Sequence, residues 1–346
     1  MALGAAIALV GSLWAGVEAG PRSGKGTSST AIQWLTKAVC APVRVSYRAT
    51  ESLRIQSKTG DRAQRVRVVH RVPDDTRREY LSPRGDVELI IADDGHSHWQ
   101  YSPGRREIIF SNSVRVDREL WQERHLKRLL SNYTVSEAGQ ATVGGRKARA
   151  LLIAPRSGHY GLSKRLVIDE ATGLILQSEL TTSDGTTKLD STLSDLRFEK
   201  TIPSSEFRRP AKPAKQRVIY EQIVVLPLDA LVHQWKQPLM IPKRMAGGYA
   251  LESARLLRRG RHTFVHLRYF DGLNALSLFE GRSSAGRGRP PERSEVRVHG
   301  APAALRFHPP FWSLSWRERG LRLTLVGDLP RNELLRIAQQ SGWVSR

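Results

Sequence analysis

The sequence predicts a mainly β protein of the α+β class, in which a large curved antiparallel sheet carries a few helices. From residue 43 onward, apolar and polar side chains alternate, as where Val66 and Val68 alternate with Arg65 and Arg67. This period of two is typical of a strand that buries one face. Gly, Pro, Asp and Asn residues interrupt the alternation at short intervals, which indicates a meander of antiparallel strands.

Two segments in the first half of the chain depart from this period and predict helices. Ser28, Ser29 and Thr30 precede the stretch AIQWLTKAV, and a hydroxyl at this point can accept the free amides of a first helical turn. The second segment covers residues 117–130, and its apolar residues recur at helical spacing: Leu120, Trp121, Leu126, Leu129 and Leu130. We expect this amphipathic helix to lie across the apolar face of the sheet.

The chain then divides into a larger and a smaller domain. Strands resume after the second helix, and turns are expected at Thr172-Gly173 and at Ser183-Asp184-Gly185. A basic, proline-rich stretch, PAKPAK, follows, and a second series of strands ends in a helix from Arg331 to Gln340. Within that series, residues 281–293 read as a basic loop. The expected limits are a signal peptide or anchor over 1–19, a first domain over 28–207, a linker or bridging segment over 208–235 and a small C-terminal domain over 236–346.

The composition restricts the class of protein. The chain has 346 residues, of which 40% are hydrophobic, and this is enough to bury a core in each of two domains. Lys and Arg number 55 against 33 Asp and Glu, so the formal net charge is +22 and anionic partners are expected. Because Cys40 is the single cysteine, the chain forms no internal disulfide and no cysteine-based metal cluster.

The first residues indicate export from the cytoplasm. Residues 1–17 carry no charged side chain, and Val17-Glu18-Ala19 has the small-x-small pattern that signal peptidase recognises. The basic residues that usually precede such a segment are missing. Two interpretations therefore remain open, a signal peptide and a retained N-terminal anchor. An exported protein does not meet nucleic acid, so we expect no nucleic-acid partner.

The motifs that would carry catalysis are weak. The stretch AGPRSGKGT at residues 19–27 approaches a phosphate-binding loop, but Ala19 and Arg22 occupy positions that need glycine. His96 and His98 are two residues apart and could ligate a metal, but only two neighbouring aspartates could complete that site. Neither a GxSxG elbow nor an HExxH motif occurs. We expect no enzymatic activity, no cofactor and no metal.

Several phrases of the sequence resemble one known family. The first domain reads VRVVHRVPDDTRREYLSPRGDVELIIADDGHSHWQYSPGRREIIF, then RLLSNYTVSEAGQATVGGRKARALLIAP, and then KRLVIDEATGLILQSEL. The C-terminal run WSLSWRERGLRLTLVGDLPRNELLRIAQ has the pattern of a strand pair that leads into a closing helix. In this order the phrases resemble the RseB/MucB family, periplasmic regulators of the envelope-stress sigma factor. The N-terminal domain of that family is itself similar to the lipoprotein carrier LolA.

The resemblance implies a LolA-like half-open antiparallel barrel with helices on its concave face, joined to a smaller α+β domain. It implies two partners in the periplasm: the periplasmic domain of a membrane-anchored anti-sigma factor, and a lipid or lipopolysaccharide signal that loosens that complex. LolA-like relatives carry acyl chains in the same hollow, so a periplasmic lipid or lipoprotein carrier is the alternative function. A second domain favours the regulator, because the simple carriers have a single domain.

Two sets of residues are candidates for binding. A concave apolar sheet can receive an acyl chain, and each buried methylene contributes roughly 0.8 kcal/mol. The residues expected to line this hollow are Val45, Tyr47, Val68, Leu89, Ile91, Trp99, Tyr101, Trp121 and Leu126. Trp99 and Tyr101 share a face and either line the hollow or fill it as core. The residues expected to hold an anionic partner, including an anionic membrane surface, are Arg65, Arg67, Arg105 and Arg106.

Overall fold

The structure, a computed structural model, describes most of the chain and divides it into two compact units. The described residues are 27–57, 61–113, 118–156, 162–181, 187–209, 217–260, 262–282, 296–308, 311–327 and 329–345. The N-terminal unit extends to Ile219, and the C-terminal unit begins at Tyr220. The expected signal peptide, the 19–27 loop as far as residue 26, the PAKPAK stretch, the 183–185 turn and most of the 281–293 loop lie outside the described residues. The domain limits expected from the sequence stay a prediction.

In the described residues of the N-terminal unit, eleven antiparallel strands are accompanied by two α-helices. The helices are α1 (Ser29–Cys40) and α2 (Arg118–Asn132). The strands are β1 (Tyr47–Ser57), β2 (Arg62–Arg71), β3 (Asp75–Leu81), β4 (Val87–Asp93), β5 (Ser97–Ser102), β6 (Glu107–Asn112), β7 (Tyr133–Val143), β8 (Arg146–Pro155), β9 (Ser163–Asp169), β10 (Ile175–Thr181) and β11 (Thr187–Phe198). Their order across the sheet is 6-5-4-3-2-1-11-10-9-8-7, because β1 pairs with both β2 and β11.

This arrangement confirms the expected fold class, a mainly β half-barrel built from a curved antiparallel sheet. Each of the two meanders, β2 to β6 and β7 to β11, is formed by strands that are neighbours in sequence, as hairpin patterns predict. The pairing of β1 with β11 joins the two meanders and is the long-range contact of the unit. Tyr47 on β1 therefore lies opposite Phe198 on β11 and opposite His70 on β2.

Helix α1 forms as the sequence predicts. Ser28 is its N-cap, and the Ala31 amide donates to the Ser28 Oγ at 3.1 Å. The buried positions Ala31, Leu35 and Ala38 lie on one stripe of the helix, which packs against β7 and β8. The turn at Gly173 approaches the end of this helix closely: a Cβ there would lie 2.8 Å from the Lys37 carbonyl oxygen. The helix is therefore held by packing as well as by its cap.

The C-terminal unit contains a second antiparallel sheet. Its strands are β12 (Arg217–Leu226, within the unit from Tyr220), β14 (Ala250–Arg259), β15 (His262–Phe270), β16 (Ala275–Arg282), β19 (Ala304–His308), β20 (Phe311–Glu318) and β21 (Leu321–Gly327), in the order 12-14-15-16-21-20-19. Two short strand pairs accompany these strands in the described residues. In the first, β13 (Met240–Arg244) pairs with β22 (Gly342–Ser345), and in the second, β17 (Arg297–Val298) pairs with β18 (Ala301–Pro302). The helices are α3 (Leu228–Trp235) and α4 (Arg331–Gln340).

Residues 217–235, expected in a linker or bridging segment, form β12 and α3. The strand pairs with β14 from Glu221 to Leu226, and the helix begins after Pro227 and buries Leu231 and Trp235. Ile223, Leu231 and Trp235 of this segment are thus buried, while Tyr220 and Val225 stay exposed. The closing helix α4 has the expected limits and buries Leu334, Ile337 and Ala338. None of the helices in the described residues is long and apolar enough to cross a membrane.

Candidate functional site

The register of β3 and β4 divides the expected ligand-binding residues between two faces of the N-terminal sheet. Leu89 faces Tyr80 across the pair of strands, and Ile91 faces Arg78. The residue between them, Ile90, points to the other side because successive side chains of a strand alternate. The face that carries Leu89 and Ile91 is called the cluster face below.

An apolar cluster covers the cluster face where β1, β2, β3 and β4 meet. Its buried members are Tyr47, Ala49, Val66, Val68, Tyr80 and Leu174, and Val45, Leu53, Leu89, Ile91, Leu193 and Leu196 pack against it while partly exposed. Five of the nine residues that the sequence nominated for the hollow thus come together: Val45, Tyr47, Val68, Leu89 and Ile91. The partly exposed members form the accessible margin of the cluster, where an apolar ligand would make contact.

An ion pair lies inside this apolar cluster. Arg78 on β3 donates to the carboxylate of Glu51 on β1, and the Ser191 hydroxyl donates to the other oxygen of Glu51 at 2.7 Å. Glu51 is 5% exposed. Burial raises the pKa of the neighbouring Tyr47 hydroxyl to about 12, against the opposing effect of the Arg78 charge. The cluster face therefore combines apolar side chains with one internally neutralised ion pair.

Sequence reasoning did not nominate Glu51 and Arg78. The available signal was their position in the period of two: Glu51 alternates in phase with Tyr47 and Ala49, and Arg78 alternates in phase with Tyr80. A charged residue at an inward position is unusual and marks a buried partner. The period identifies such a residue, but only the strand order 3-2-1 brings these two charges together.

Trp99 and Tyr101 lie on the opposite face of the sheet, so they do not belong to the cluster face. Trp99 faces Ala92 and Tyr101 faces Ile90, and these side chains form a second apolar cluster with Phe110. The Trp99 indole donates to the Phe207 carbonyl at 2.8 Å, which places Trp99 beneath residues 204–207 as core. Trp99 and Tyr101 share a face, but it is not the face that carries Leu89 and Ile91, so the nine residues do not all lie on one face of the sheet. Their role in ligand binding stays a prediction.

Helix α2 supplies the two remaining nominated residues. Leu126 is half-buried on this helix, which contacts β7. The side chain of Trp121 lies outside the described residues. Leu126 is not among the described members of the cluster on the cluster face.

The four nominated arginines do not form one patch. Arg65 and Arg67 lie on β2 on the face opposite Val66 and Val68, and Arg67 is 3.4 Å from a carboxylate oxygen of Glu79. The other two, Arg105 and Arg106, are exposed in the turn between β5 and β6. The first pair therefore belongs to a strand surface on which Glu79 also pairs with Arg77, and the second pair belongs to a turn.

The acidic residues near the histidine pair have structural roles. The Asp93 carboxylate accepts from the Gly95 amide at 2.8 Å, and the Asp94 carboxylate accepts from the His96 amide at 3.0 Å. His96 lies in this turn, before β5 begins, and so does not share a strand face with His98. The described residues contain no group of three or more His, Cys, Asp or Glu side chains arranged to hold a metal.

The C-terminal unit buries a carboxyl group. Glu280 is fully buried, and the Met240 amide donates to its Oε2 at 2.9 Å. Its Oε1 and the hydroxyl of Tyr269 are buried without a hydrogen-bond partner among the described residues. Burial raises the pKa of Glu280 to about 8, although the Met240 hydrogen bond opposes the shift. Glu280 therefore connects β16 to β13 while it is largely protonated at neutral pH.

A cavity of about 320 Å³ opens in the C-terminal unit, beside the irregular start of β14. Val225 and Leu251 line it and are exposed, at 50% and 36%. It lies in a different unit from the apolar cluster and includes none of the nominated residues.

The comparisons with known proteins identify the family. Residues 30–211 match the model of the MucB/RseB N-terminal domain, which is a little over half of the chain. A search of curated proteins found no match. Among solved structures, the complex of Pseudomonas aeruginosa MucA and MucB is similar at 20% identity and a TM-score of 0.56, covering 90% of this chain and 97% of that chain.

Two further solved structures agree with that match. A crystal structure of MucB covers 91% of this chain and 98% of its own at 19% identity and a TM-score of 0.57. A complex of MucB with MucA(peri) covers 89% of this chain and 97% of its own, at 19% identity and a TM-score of 0.53. At these identities the structures establish the fold, and the family model establishes the relationship. The chain belongs to the MucB/RseB family.

Proposed function

We propose that this protein is a non-enzymatic regulator in the periplasm that binds the periplasmic domain of a membrane-anchored anti-sigma factor. The observation that carries the proposal is the family match over residues 30–211. Two solved structures of the same fold are complexes of MucB with MucA, and both match this chain over about nine-tenths of its length. A carrier of the LolA type needs one domain, whereas this chain forms two compact units.

The second part of the proposal is that the cluster face receives a lipid or lipopolysaccharide-type signal. The apolar margin of the cluster supplies the contact for an acyl chain: Leu89 and Ile91 are partly exposed beside buried Val68. Arg78 lies on the same face, but Glu51 neutralises its charge, so the apolar margin carries this part of the proposal. Binding of a lipid there would change the energy of the complex with the anti-sigma factor, provided that the lipid prefers one of the two states.

The first experiment tests the protein partner. The full chain is titrated calorimetrically with the purified periplasmic domain of the anti-sigma factor from the same genome. We expect a saturable complex. Absence of binding, with both proteins folded by circular dichroism, would contradict the regulatory proposal. Co-purified acyl chains without any protein complex would favour the lipid carrier instead.

The second experiment tests the lipid site with a matched pair of variants. Leu89→Trp enlarges a side chain at the margin of the cluster, and Glu88→Trp places the same side chain one residue earlier on an exposed position of β4. A fluorescent fatty acid is the probe. We expect Leu89→Trp to reduce binding of the probe and Glu88→Trp to leave it unchanged. Both variants are expected to bind the periplasmic domain of the anti-sigma factor as the wild type does. Equal effects of the two variants would contradict a site on the cluster face.

A further inference from the structure

The strands β19, β20 and β21 present an excess of positive charge on one face of the C-terminal sheet. Residues 296–327 contain five arginines and one acidic residue, Glu318. That carboxylate is already engaged: the Trp316 indole donates to it at 3.2 Å, and the His299 ring lies 3.9 Å from it. Within the described part of this segment, no carboxylate is left to balance the arginines.

Three of these arginines lie on the same face of the sheet. Arg317 and Arg322 are direct partners on the antiparallel pair β20 and β21, so their side chains leave the sheet side by side. Arg306 on β19 faces Ser313, which is in phase with Arg317 on β20. These three residues are called the arginine trio below.

The trio is close enough for mutual repulsion. Burial lowers the pKa of Arg322, and the charges of Arg306 and Arg317 lower it further. Like charges directly opposite each other on two strands destabilise a sheet. Arg317 Nε is buried and has no hydrogen-bond partner among the described residues. The folded protein thus retains repulsion between these arginines, and a bound anion would reduce it.

Three small hydroxyl residues, all of them buried, lie next to the trio on the two strands. Ser313, Ser315 and Thr324 lie between the arginines on the same face, and the Ser315 and Thr324 hydroxyls are 2.9 Å apart. Arg306 is exposed, and Arg317 and Arg322 are half-exposed, so the trio can be reached from solvent. The guanidinium groups, and not the buried hydroxyls, would therefore supply the paired N–H donors that phosphate oxygens accept.

We propose that the arginine trio binds the phosphate group of an anionic phospholipid headgroup, and that the C-terminal unit attaches to a membrane surface through it. A membrane surface fits better than a single carboxylate, because each phosphodiester headgroup carries one negative charge and a bilayer presents many of them to the three cations. Arg306 is exposed, and so is Arg319 at the tip of the β20–β21 hairpin, which allows contact with such a surface. The site uses no residue of the cluster face, so it is independent of the proposed lipid signal.

The test is sedimentation of the full chain with vesicles of phosphatidylcholine alone or with added phosphatidylglycerol. The variant is Arg317→Gln with Arg322→Gln. Its control is Arg54→Gln with Arg258→Gln, which removes two charges from exposed strand positions elsewhere. We expect the wild type to bind the anionic vesicles, the trio variant to bind them about thirtyfold more weakly and the control to change by less than about threefold.

Several results would overturn the proposal. If the two double variants lose binding to anionic vesicles equally, only the net charge matters. If the wild type binds neutral and anionic vesicles equally, the headgroup charge plays no part. Release by polyglutamate but not by inorganic phosphate would assign the trio to an acidic peptide. The trio variant is expected to melt no lower than the wild type, because it removes repulsion between paired arginines. Melting curves therefore separate loss of a site from loss of the fold.

Discussion

Glu51 on β1 and Arg78 on β3 form an ion pair that spans the strand between them. Strand β2 runs below the pair and contributes Val66 and Val68 to the surrounding apolar cluster. A pair of this kind loses hydration when it is buried, and its hydrogen bonds must compensate for that loss. The Ser191 hydroxyl contributes one of these bonds. The pair therefore fixes the relative position of three strands on the face where a ligand is proposed to bind.

Removal of one member of this pair is expected to destabilise the protein. Arg78→Met leaves Glu51 buried without its cation, and we expect a loss of about 2–3 kcal/mol in the free energy of unfolding, since Arg78 is partly exposed. Urea denaturation measures the change. The control Arg67→Met breaks a pair with Glu79 whose arginine is half exposed, and should cost less than about 1 kcal/mol. A loss in Arg78→Met no larger than in the control would contradict a buried pair.

The ionisation of Glu280 is expected to make stability fall as the pH rises. The pKa of Glu280 is raised to about 8 in the folded state, whereas the unfolded chain loses this proton near 4.5. Between these pH values the folded state binds more protons than the unfolded state. The free energy of unfolding therefore falls by up to about 1.4 kcal/mol for each unit by which the pH rises.

Glu280→Gln should remove this component. Urea denaturation at several pH values from 5 to 8 gives the difference between variant and wild type, which isolates Glu280 from the other charges. We expect the variant to gain stability relative to the wild type as the pH rises. The exposed Asp229→Asn serves as the comparison. A difference that does not change with pH would show that Glu280 is ionised in the folded state.

The Asp169 carboxylate is expected to support the β9–β10 turn above acidic pH. Burial alone would raise the pKa of Asp169, but hydrogen bonds from Arg146 and Thr172 outweigh it and hold the pKa below its ordinary value. Its contribution is therefore present above about pH 4 and is lost as the pH falls through the folded-state pKa. We expect Asp169→Asn to be less stable than the wild type at pH 7, with a smaller difference near pH 3. Thermal melting at the two pH values measures this, and a constant difference would refute it.

Gly173→Ala is expected to disturb the end of α1. A Cβ at residue 173 would meet the Lys37 Cγ and carbonyl oxygen at 2.8 Å, and its φ of +79° already disfavours a side chain. Gly145→Ala is the matched control, with a φ of +76° and open space around the new Cβ. We expect the control to cost about 1 kcal/mol and Gly173→Ala about 1–3 kcal/mol more. Equal melting temperatures of the two variants would show that the helix moves freely to accommodate the methyl group.

Local patterns were sufficient to predict the elements that depend on neighbouring residues. The hydroxyl of Ser28 predicts the start of α1, the apolar spacing of residues 117–130 predicts α2, and the limits of α4 agree with those expected. The resemblance of the strand and turn phrases to the RseB/MucB family is confirmed by the family model. These features follow from residues that lie within one turn or one hairpin of each other.

The composition of the cluster face was predicted only in part. The period of two correctly groups Tyr47 with Ala49 and Leu89 with Ile91, because it states which residues of one strand share a face. It does not state which faces of different strands coincide. Trp99 was nominated for the hollow because it is aromatic and in phase with Tyr101, but the β4–β5 register places it opposite Ala92, under Phe207.

The sequence by itself determined the strands, the helices, the excess of arginine and the family, since each of these is encoded in composition or in spacing along the chain. Tertiary structure alone decided which charges meet. Glu51 and Arg78 are 27 residues apart and pair across β2, whereas Arg317 lies directly opposite Arg322 on the neighbouring strand. Strand order and register set the distances between these charges. Both are properties of the whole sheet, because a face consists of side chains from several paired strands.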